Sequence, residues 1–176
     1  LSEGKLGYLA LIRNLRNIAK YDDKTLTDLT VNALENKESI LNAKIFPFQF
    51  LNAYKMLKKE QILHYNSKSF NKIITALTNA CEIAVCNIPK LEGDTVILID
   101  QSGSMDNIKD TAHLFACALA KASEDAIAIA FSYTNQQKFI PDITENNILN
   151  TALKMSDDWF NGGTDFISAF KFLQSN

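Results

Sequence analysis

The sequence predicts a two-part α+β chain: a helical-repeat segment over residues 1–92 and an α/β half over residues 93–176. Three observations predict it. Apolar residues recur at helical spacing through the first ninety residues, in successive blocks with short joins. Val96-Ile97-Leu98-Ile99 then breaks that period, as four consecutive apolar residues that stop at Asp100, the pattern of a buried strand. A second apolar run, Ala126–Phe131, follows after one helix length, the strand–helix–strand order of a parallel sheet.

Taken in order, Lys5–Lys20 predicts a first helix with Leu9, Ile12, Leu15 and Ala19 on its apolar face, widened by Leu11 and Ile18. Arg13, Arg16 and Lys20 fall together on the opposite face, a candidate surface for phosphates. Asp22 and Asp23 break the pattern. Thr25–Asn36 predicts a shorter helix carrying Leu26, Leu29, Ala33 and Leu34, and Lys37–Ala43 a brief third turn. Pro47 suits the first turn of the next helix, where its missing N–H costs nothing. Phe50, Leu51, Tyr54 and Leu57 line one side of that helix, and Lys55, Lys58, Lys59 and Glu60 the exposed side. Phe46, Phe48 and Phe50 read as packing residues rather than as a platform for nucleobases. Asn66 or Ser67 caps a long helix to about Cys86, with Phe70, Ile73, Ile74, Leu77, Cys81 and Ala84 as its core stripe. Helical pairs of this kind stack into solenoids. The sequence has no clean period, so the repeat rests on element order.

In the second half, Ile108–Ala122 predicts a helix with Ala112, Phe115, Ala116, Leu119 and Ala120 toward a sheet. Lys138–Pro141 reads as a short antiparallel edge strand. Thr144 caps a helix through Leu153, Ser156–Phe160 connects, and Phe166–Leu173 is a closing helix. Val96–Ile99 is apolar at every position and wants neighbours on both edges. Ala126–Phe131 supplies one; the other is expected beyond Asn176, so the sheet is expected to be incomplete.

Composition bounds the function. The chain is 47% hydrophobic and 22% charged with few Gly and Pro, a folded composition. Three cysteines, Cys81, Cys86 and Cys117, without CxxC spacing, fit helix-packing positions in a reducing, cytoplasmic setting. No apolar run is long enough to span a bilayer, and no signal-peptide pattern is present, so no membrane partner is expected. Because the sequence begins with Leu1, the natural protein is expected to be longer. Residues 1–93 hold 13 Lys/Arg against 9 Asp/Glu, and residues 94–176 hold 5 against 11. A basic helical part and an acidic second part suggest different partners for each.

The chemistry concentrates in Asp100-Gln101-Ser102-Gly103-Ser104. Asp100, Ser102 and Ser104 occupy alternate positions, so an extended turn points all three to one side at the carboxyl end of a strand. Oxygen-only ligands suit a hard divalent cation, with Mg²⁺ first. Gly162-Gly163 give the backbone the freedom to bring Thr164 beside this loop. The blander reading is a strand-to-helix turn with Ser104 or Asp106 as N-cap. Asp100 as an aspartyl-phosphate nucleophile needs a second acid two residues on, as in haloacid dehalogenase phosphatases, and Ser102 stands there. His64 and His113 form no triad spacing with any serine and read as surface or helix residues. The chain therefore reads as non-enzymatic.

DQSGSM together with Gly162-Gly163-Thr164-Asp165 resembles the metal-ion-dependent adhesion site of von Willebrand factor A domains. The resemblance implies a Rossmann-like fold and assigns Asp100, Ser102, Ser104 and Thr164 as metal positions, with Asp165 beside the last. It also implies a third-loop aspartate after the next core strand, which this sequence does not reach. Gln101 is polar where relatives often carry a small or apolar residue. Leu9–Lys20 (LALIRNLRNIAK), Ile45–Leu57 (IFPFQFLNAYKML) and the long helix leading into Val96–Met105 (VILIDQSGSM) together resemble the Ro autoantigen family. In that family a TROVE module, a ring of HEAT-like helical repeats, is joined to a von Willebrand A-like domain. The resemblance implies the end of the ring over 1–92 and the truncated start of the A-like domain over 93–176. It implies non-catalytic binding of small noncoding Y RNAs and of the single-stranded ends of misfolded RNAs, and a protein partner such as a nuclease through the A-like half. RNA contacts left to this chain, placed by charge and helical face, are Arg13, Arg16, Lys20, Lys55, Lys58 and Lys59. The other reading is a von Willebrand A-type interaction module that takes an acidic partner through Mg²⁺.

Overall fold

The computed structural model describes residues 6–63 and 67–176. It divides into two compact units, Leu1–Asn87 and Ile88–Asn176. Lys5, His64 and Asn66, named above, lie outside the described residues.

The first unit is helical. Helix α1 (Tyr8–Lys20) and α2 (Lys24–Leu34) form one hairpin, the short α3 (Lys37–Asn42) follows, and α4 (Phe48–Leu63) and α5 (Lys68–Ala84) form another. The hairpins stack, α1 on α4 and α2 on α5. Helix starts follow local chemistry. The Asp23 carboxylate accepts the Leu26 N–H at 2.7 Å, Asn36 accepts that of Ser39 at 2.8 Å, and Ser67 accepts that of Phe70 at 3.3 Å. Each satisfies an N–H that has no partner within its helix. Asp23 thus starts α2 rather than merely ending what precedes it. Phe50, Leu51, Tyr54 and Leu57 of α4 are buried, as is the whole predicted stripe of α5 from Phe70 to Ala84.

Two faces differ from expectation. In α2 the buried side is Thr27, Thr30 and Leu34, while Leu29 is 41% exposed. The threonines can be buried because their hydroxyls are paired. Thr27 Oγ1 donates to the Asp23 carbonyl at 2.7 Å and lies 2.8 Å from Ser69 Oγ, and Thr30 donates to the Leu26 carbonyl. Phe50 packs, but Phe46 and Phe48 do not. They are 38% and 45% exposed and stack on each other, ring centroids 6.0 Å apart. Pro47 between them is buried, and its carbonyl accepts the Phe50 N–H, so the turn around it sends both flanking rings outward.

The second unit is a three-stranded sheet in the order β1-β2-β3 with helices on it. Strand β1 (Leu91–Asp100) pairs in parallel with β2 (Ser123–Phe131), with Val96 opposite Ile127 and Asp100 opposite Phe131. Strand β3 (Gln137–Phe139) adds on antiparallel, and Pro141 lies outside it. A 3₁₀ segment, Gly103–Ile108, leads into α6 (Lys109–Ala122), and α7 (Ile148–Asp157) packs on α6. Helix α8 (Phe166–Ser175) packs on β2 and β3, with Phe166 and Phe172 each 5.0 Å from Phe131 and Phe139 respectively.

Period-2 alternation decides burial. Ile97 and Ile99 are buried, as are their register partners Ala128 and Ala130. Val96 and Ile127, side by side on the opposite face, are 43% and 47% exposed, because α8 covers only the carboxyl half of that face around Phe131. The expectation that these apolar runs are buried along their whole length therefore holds only for their carboxyl ends. Helix α6 is also turned from expectation. Phe115 is 52% exposed, and Leu114 and Cys117 supply the buried bulk beside Ala116 and Ala120. Helix α7 starts at Asn147, whose side chain accepts the Leu149 N–H at 3.0 Å; Thr144 lies in the preceding turn. Cys86 is exposed, whereas Cys81 and Cys117 pack inside.

Candidate functional site

Strand β1 ends at Asp100, and the chain passes over the end of the sheet. Gln101 N–H donates to the Phe131 carbonyl at 2.7 Å, which fixes the loop to the end of β2. One Asp100 carboxylate oxygen accepts the Ser102 N–H at 2.8 Å. Ser102 Oγ and Ser104 Oγ stand 3.1 Å apart, with Ser102 buried and Ser104 exposed. Neither Ser104 nor Asp106 caps α6: the N-terminus of that helix carries no side-chain cap, and Asp106 pairs with Lys109 at 2.9 Å.

The second loop reaches the first through its backbone. Gly162 forms a parallel bridge with Ser102; Gly103 N–H donates to the Gly162 carbonyl at 2.8 Å, and Asn161 N–H to the Gln101 carbonyl at 3.1 Å. Glycine at these positions leaves room for neighbouring side chains. A Cβ on Gly162 would lie 2.4 Å from Gln136 Oε1 and 2.8 Å from Ser132 Oγ, and one on Gly103 would lie 2.9 Å from Asn161 Oδ1. Thr164 lies exposed two residues past this bridge. Asp165 is occupied otherwise. Its carboxylate accepts the Ser168 N–H and the Thr134 hydroxyl, each at 3.2 Å, so it caps α8 and ties down the loop after β2.

Two groups in this region were not legible as site residues. Ser132, the residue after β2, is fully buried. Its hydroxyl donates to the Gly163 carbonyl at 2.8 Å and accepts the Gly162 N–H at 3.1 Å, and its carbonyl accepts the Asp165 N–H at 2.7 Å. Its position at a strand end, matching Gln101 after β1, is the signal that marks it. Asn161 adopts φ 55°, a left-handed conformation that Asn tolerates better than most residues, and an Asn-Gly pair is a turn signal.

His113, read above as a surface or helix residue, lies on helix α6, on its buried face and not at the surface. Its Nε2 lies 3.1 Å from Gln101 Nε2 and its Nδ1 2.9 Å from Ser156 Oγ, and its ring packs edge-on against Trp159. Burial lowers its pKa from 6.5 to about 4 against the pull of Asp110, so the imidazole is neutral at pH 7. Ser156 donates to the Ala152 carbonyl, which leaves its oxygen to accept from Nδ1–H and Nε2 to accept from the Gln101 amide. Gln101 Oε1 remains buried without a partner.

The six basic candidates lie on neighbouring helices α1 and α4. Arg13 is exposed. Arg16 and Lys20 reach Glu60 at 3.9 and 3.0 Å, and Lys58 lies 5.6 Å from the Tyr54 ring centre. Lys55 and Lys59 are exposed. Glu60 therefore partly neutralises the α1 stripe. Among the described residues no cluster of three or more His, Cys, Asp and Glu is placed to hold a metal, and no helix is long and apolar enough to cross a membrane.

A helical-hairpin stack followed by a small mixed sheet with paired loops defines an α+β class of protein. The model of the TROVE domain family matches residues 1–102, more than half of the chain, and the chain belongs to that family, the family of the Ro proteins. The crystal structure of the Deinococcus radiodurans RO (RSR) protein is similar, with a TM-score of 0.59 at 18% identity over 89% of this chain. At that identity the likeness speaks for the fold. This chain spans 34% of the length of that one. Among curated protein sequences, none matches this chain.

Proposed function

We propose that this chain is a Ro-type, non-catalytic RNA-binding protein whose helical unit contacts small noncoding and misfolded RNAs. The observation that carries this reading is the TROVE match across the helical unit. Basic side chains on α1 and α4 support it: Arg13, Lys55, Lys58 and Lys59 are exposed. Cations on the faces of neighbouring helices suit successive phosphates of a nucleic-acid strand, with affinity that falls as salt rises.

The second unit, in this proposal, is the start of a von Willebrand A-like domain with a divalent-cation site. The parallel β1–α6–β2 unit supports that fold, with both loops at the carboxyl ends of its strands. Asp100, Ser102 and Ser104 are the first ligands, Thr164 joins from the second loop, and Asp165 acts on the geometry of that loop through its helix cap. The donor chemistry fits Mg²⁺. Two ligand oxygens on adjacent corners of a Mg²⁺ octahedron stand about 2.9 Å apart, and the two serine oxygens are at 3.1 Å. When bound, the cation takes an acidic side chain from a protein partner.

The two parts have separate tests. A structured small RNA should bind the chain with a Kd that weakens steeply between about 50 and 200 mM salt. Affinity indifferent to salt would count against phosphate contacts. Titration calorimetry with Mg²⁺ should give binding that Asp100→Ala abolishes. Heat unchanged by Asp100→Ala removes the metal site and leaves the RNA reading standing.

A further inference from the structure

We propose that the groove between α1 and α4 receives an unpaired nucleobase of single-stranded RNA, stacked on the Phe48 ring with Arg13 on the adjoining phosphate. This rests on the RNA-binding reading above and names what that surface recognises. The groove has a volume of about 440 Å³ and is lined by Leu9, Ile12 and Arg13 from α1 and by Phe48, Asn52 and Met56 from α4. Small-ligand clefts span roughly 300–1,000 Å³.

Phe48 forms one wall and is 45% exposed, and Phe46 lies behind it with the ring planes within 6°. The Phe48 ring thus stands at the edge of the groove, half-exposed, without entering the core. An aromatic ring open to solvent is a surface on which bases stack, and every base offers a π-face. Asn52 places an amide donor and acceptor in the same wall, suited to a base edge, and Gln49, whose Oε1 accepts the Phe46 N–H at 2.8 Å, adds its amide N–H donors. No acidic residue lines the groove among the described residues. Arg13 is exposed and makes no ion pair or hydrogen bond with any described residue. Arg16, which also lines the groove, is drawn to Glu60 at 3.9 Å, so Arg13 is the cation left to the rim, and an apolar floor beside it favours a nucleotide, with its aromatic base and charged phosphate, over an apolar helix. A duplex keeps its bases stacked inside, so the ligand is a single strand.

The test measures fluorescence anisotropy of the whole chain with three probes: a single-stranded RNA of about ten nucleotides, the same strand with abasic central positions, and a duplex. Phe48→Ala should weaken the intact strand about tenfold with an unchanged salt slope, and Phe48→Tyr, which keeps the ring, should bind as the parent does. Arg13→Gln should lower the slope of log K against log salt by about 0.7. Abasic RNA should lose what Phe48→Ala loses and be indifferent to that substitution. Thermal melting of each variant separates these effects from unfolding. Intact-strand binding unaffected by Phe48→Ala overturns the groove while the RNA reading stands. Self-association that depends on Phe48, without an effect on RNA, overturns it in favour of a protein contact. No RNA binding by the parent chain overturns both.

Discussion

Ser132 holds the second loop from beneath through three hydrogen bonds, to Gly162, Gly163 and Asp165. Replacing it with alanine removes the hydroxyl and leaves the Gly162 N–H and the Gly163 carbonyl to find other partners. Ser132→Ala should cost about 1–3 kcal/mol in urea melts and weaken Mg²⁺ binding with Asp100, Ser102 and Ser104 intact. Unchanged calorimetry would show that the loop is positioned by other contacts. His113 gives a second test. Its folded pKa, about 4, lies below its unfolded value near 6.5 because burial disfavours the cation. Above pH 6.5 neither state takes the proton, and the neutral ring is retained at no cost. As pH falls from 6.5 toward 4, the unfolded chain binds the proton first, so stability should fall there by about 2–3 kcal/mol. His113→Gln should flatten that limb of the urea-midpoint profile. An unchanged limb would place the acid sensitivity on other groups. Both residues escaped the sequence reading for one physical reason. A serine and a histidine look the same in sequence whether water or the protein supplies their hydrogen bonds. The alternation of Asp100, Ser102 and Ser104 is local and so visible in the sequence, but the expected extended turn ends at Ser102: Ser104 lies in the 3₁₀ segment Gly103–Ile108, which still leaves its oxygen 3.1 Å from that of Ser102.

Elements were more legible than faces. Periodicity located α1, α4, α5 and β2 to within a few residues, since each has an apolar stripe or run that only one geometry buries, whereas β1 begins at Leu91, five residues before the apolar run Val96–Ile99 that marked it. The faces of α2 and α6 were misjudged by about one position. Threonines on α2 bury by pairing their hydroxyls, and on α6 Leu114 and Cys117 displaced Phe115. Phe46 and Phe48 were assigned to the core on the general habit of aromatics, but the turn at Pro47 turns both outward. Strand β1 carries the clearest consequence at this scale. It pairs with β2 on one side, and among the described residues nothing pairs with its other edge. Val96 of this strand and its register partner Ile127 on β2 remain exposed on one face of the sheet. An unpaired, apolar strand edge recruits other strands. A chain ending at Asn176 should therefore self-associate with increasing concentration by light scattering, and Val96→Lys should reduce this. A monomer at all concentrations would show that the edge is protected.

At the scale of the whole molecule, the two units carry different chemistry. Lys and Arg outnumber Asp and Glu over residues 1–93, and the reverse holds over 94–176. The division of the chain into Leu1–Asn87 and Ile88–Asn176 follows the change from helical to strand periodicity. Nothing in local periodicity could foresee that Glu60 of α4 would take Arg16 and Lys20 of α1, because that pairing depends on how the hairpins stack. We propose RNA as the ligand of the helical unit and the cation as that of the loops after β1 and α7. Ultraviolet crosslinking of a small structured RNA to the chain, with mass spectrometry of the crosslinked peptides, tests that assignment most directly. Crosslinks are expected in peptides of α1 and α4, around Arg13, Phe48 and Lys55–Lys59, and should fade as salt rises. Crosslinks confined to Ile88–Asn176, or none at low salt, would contradict it.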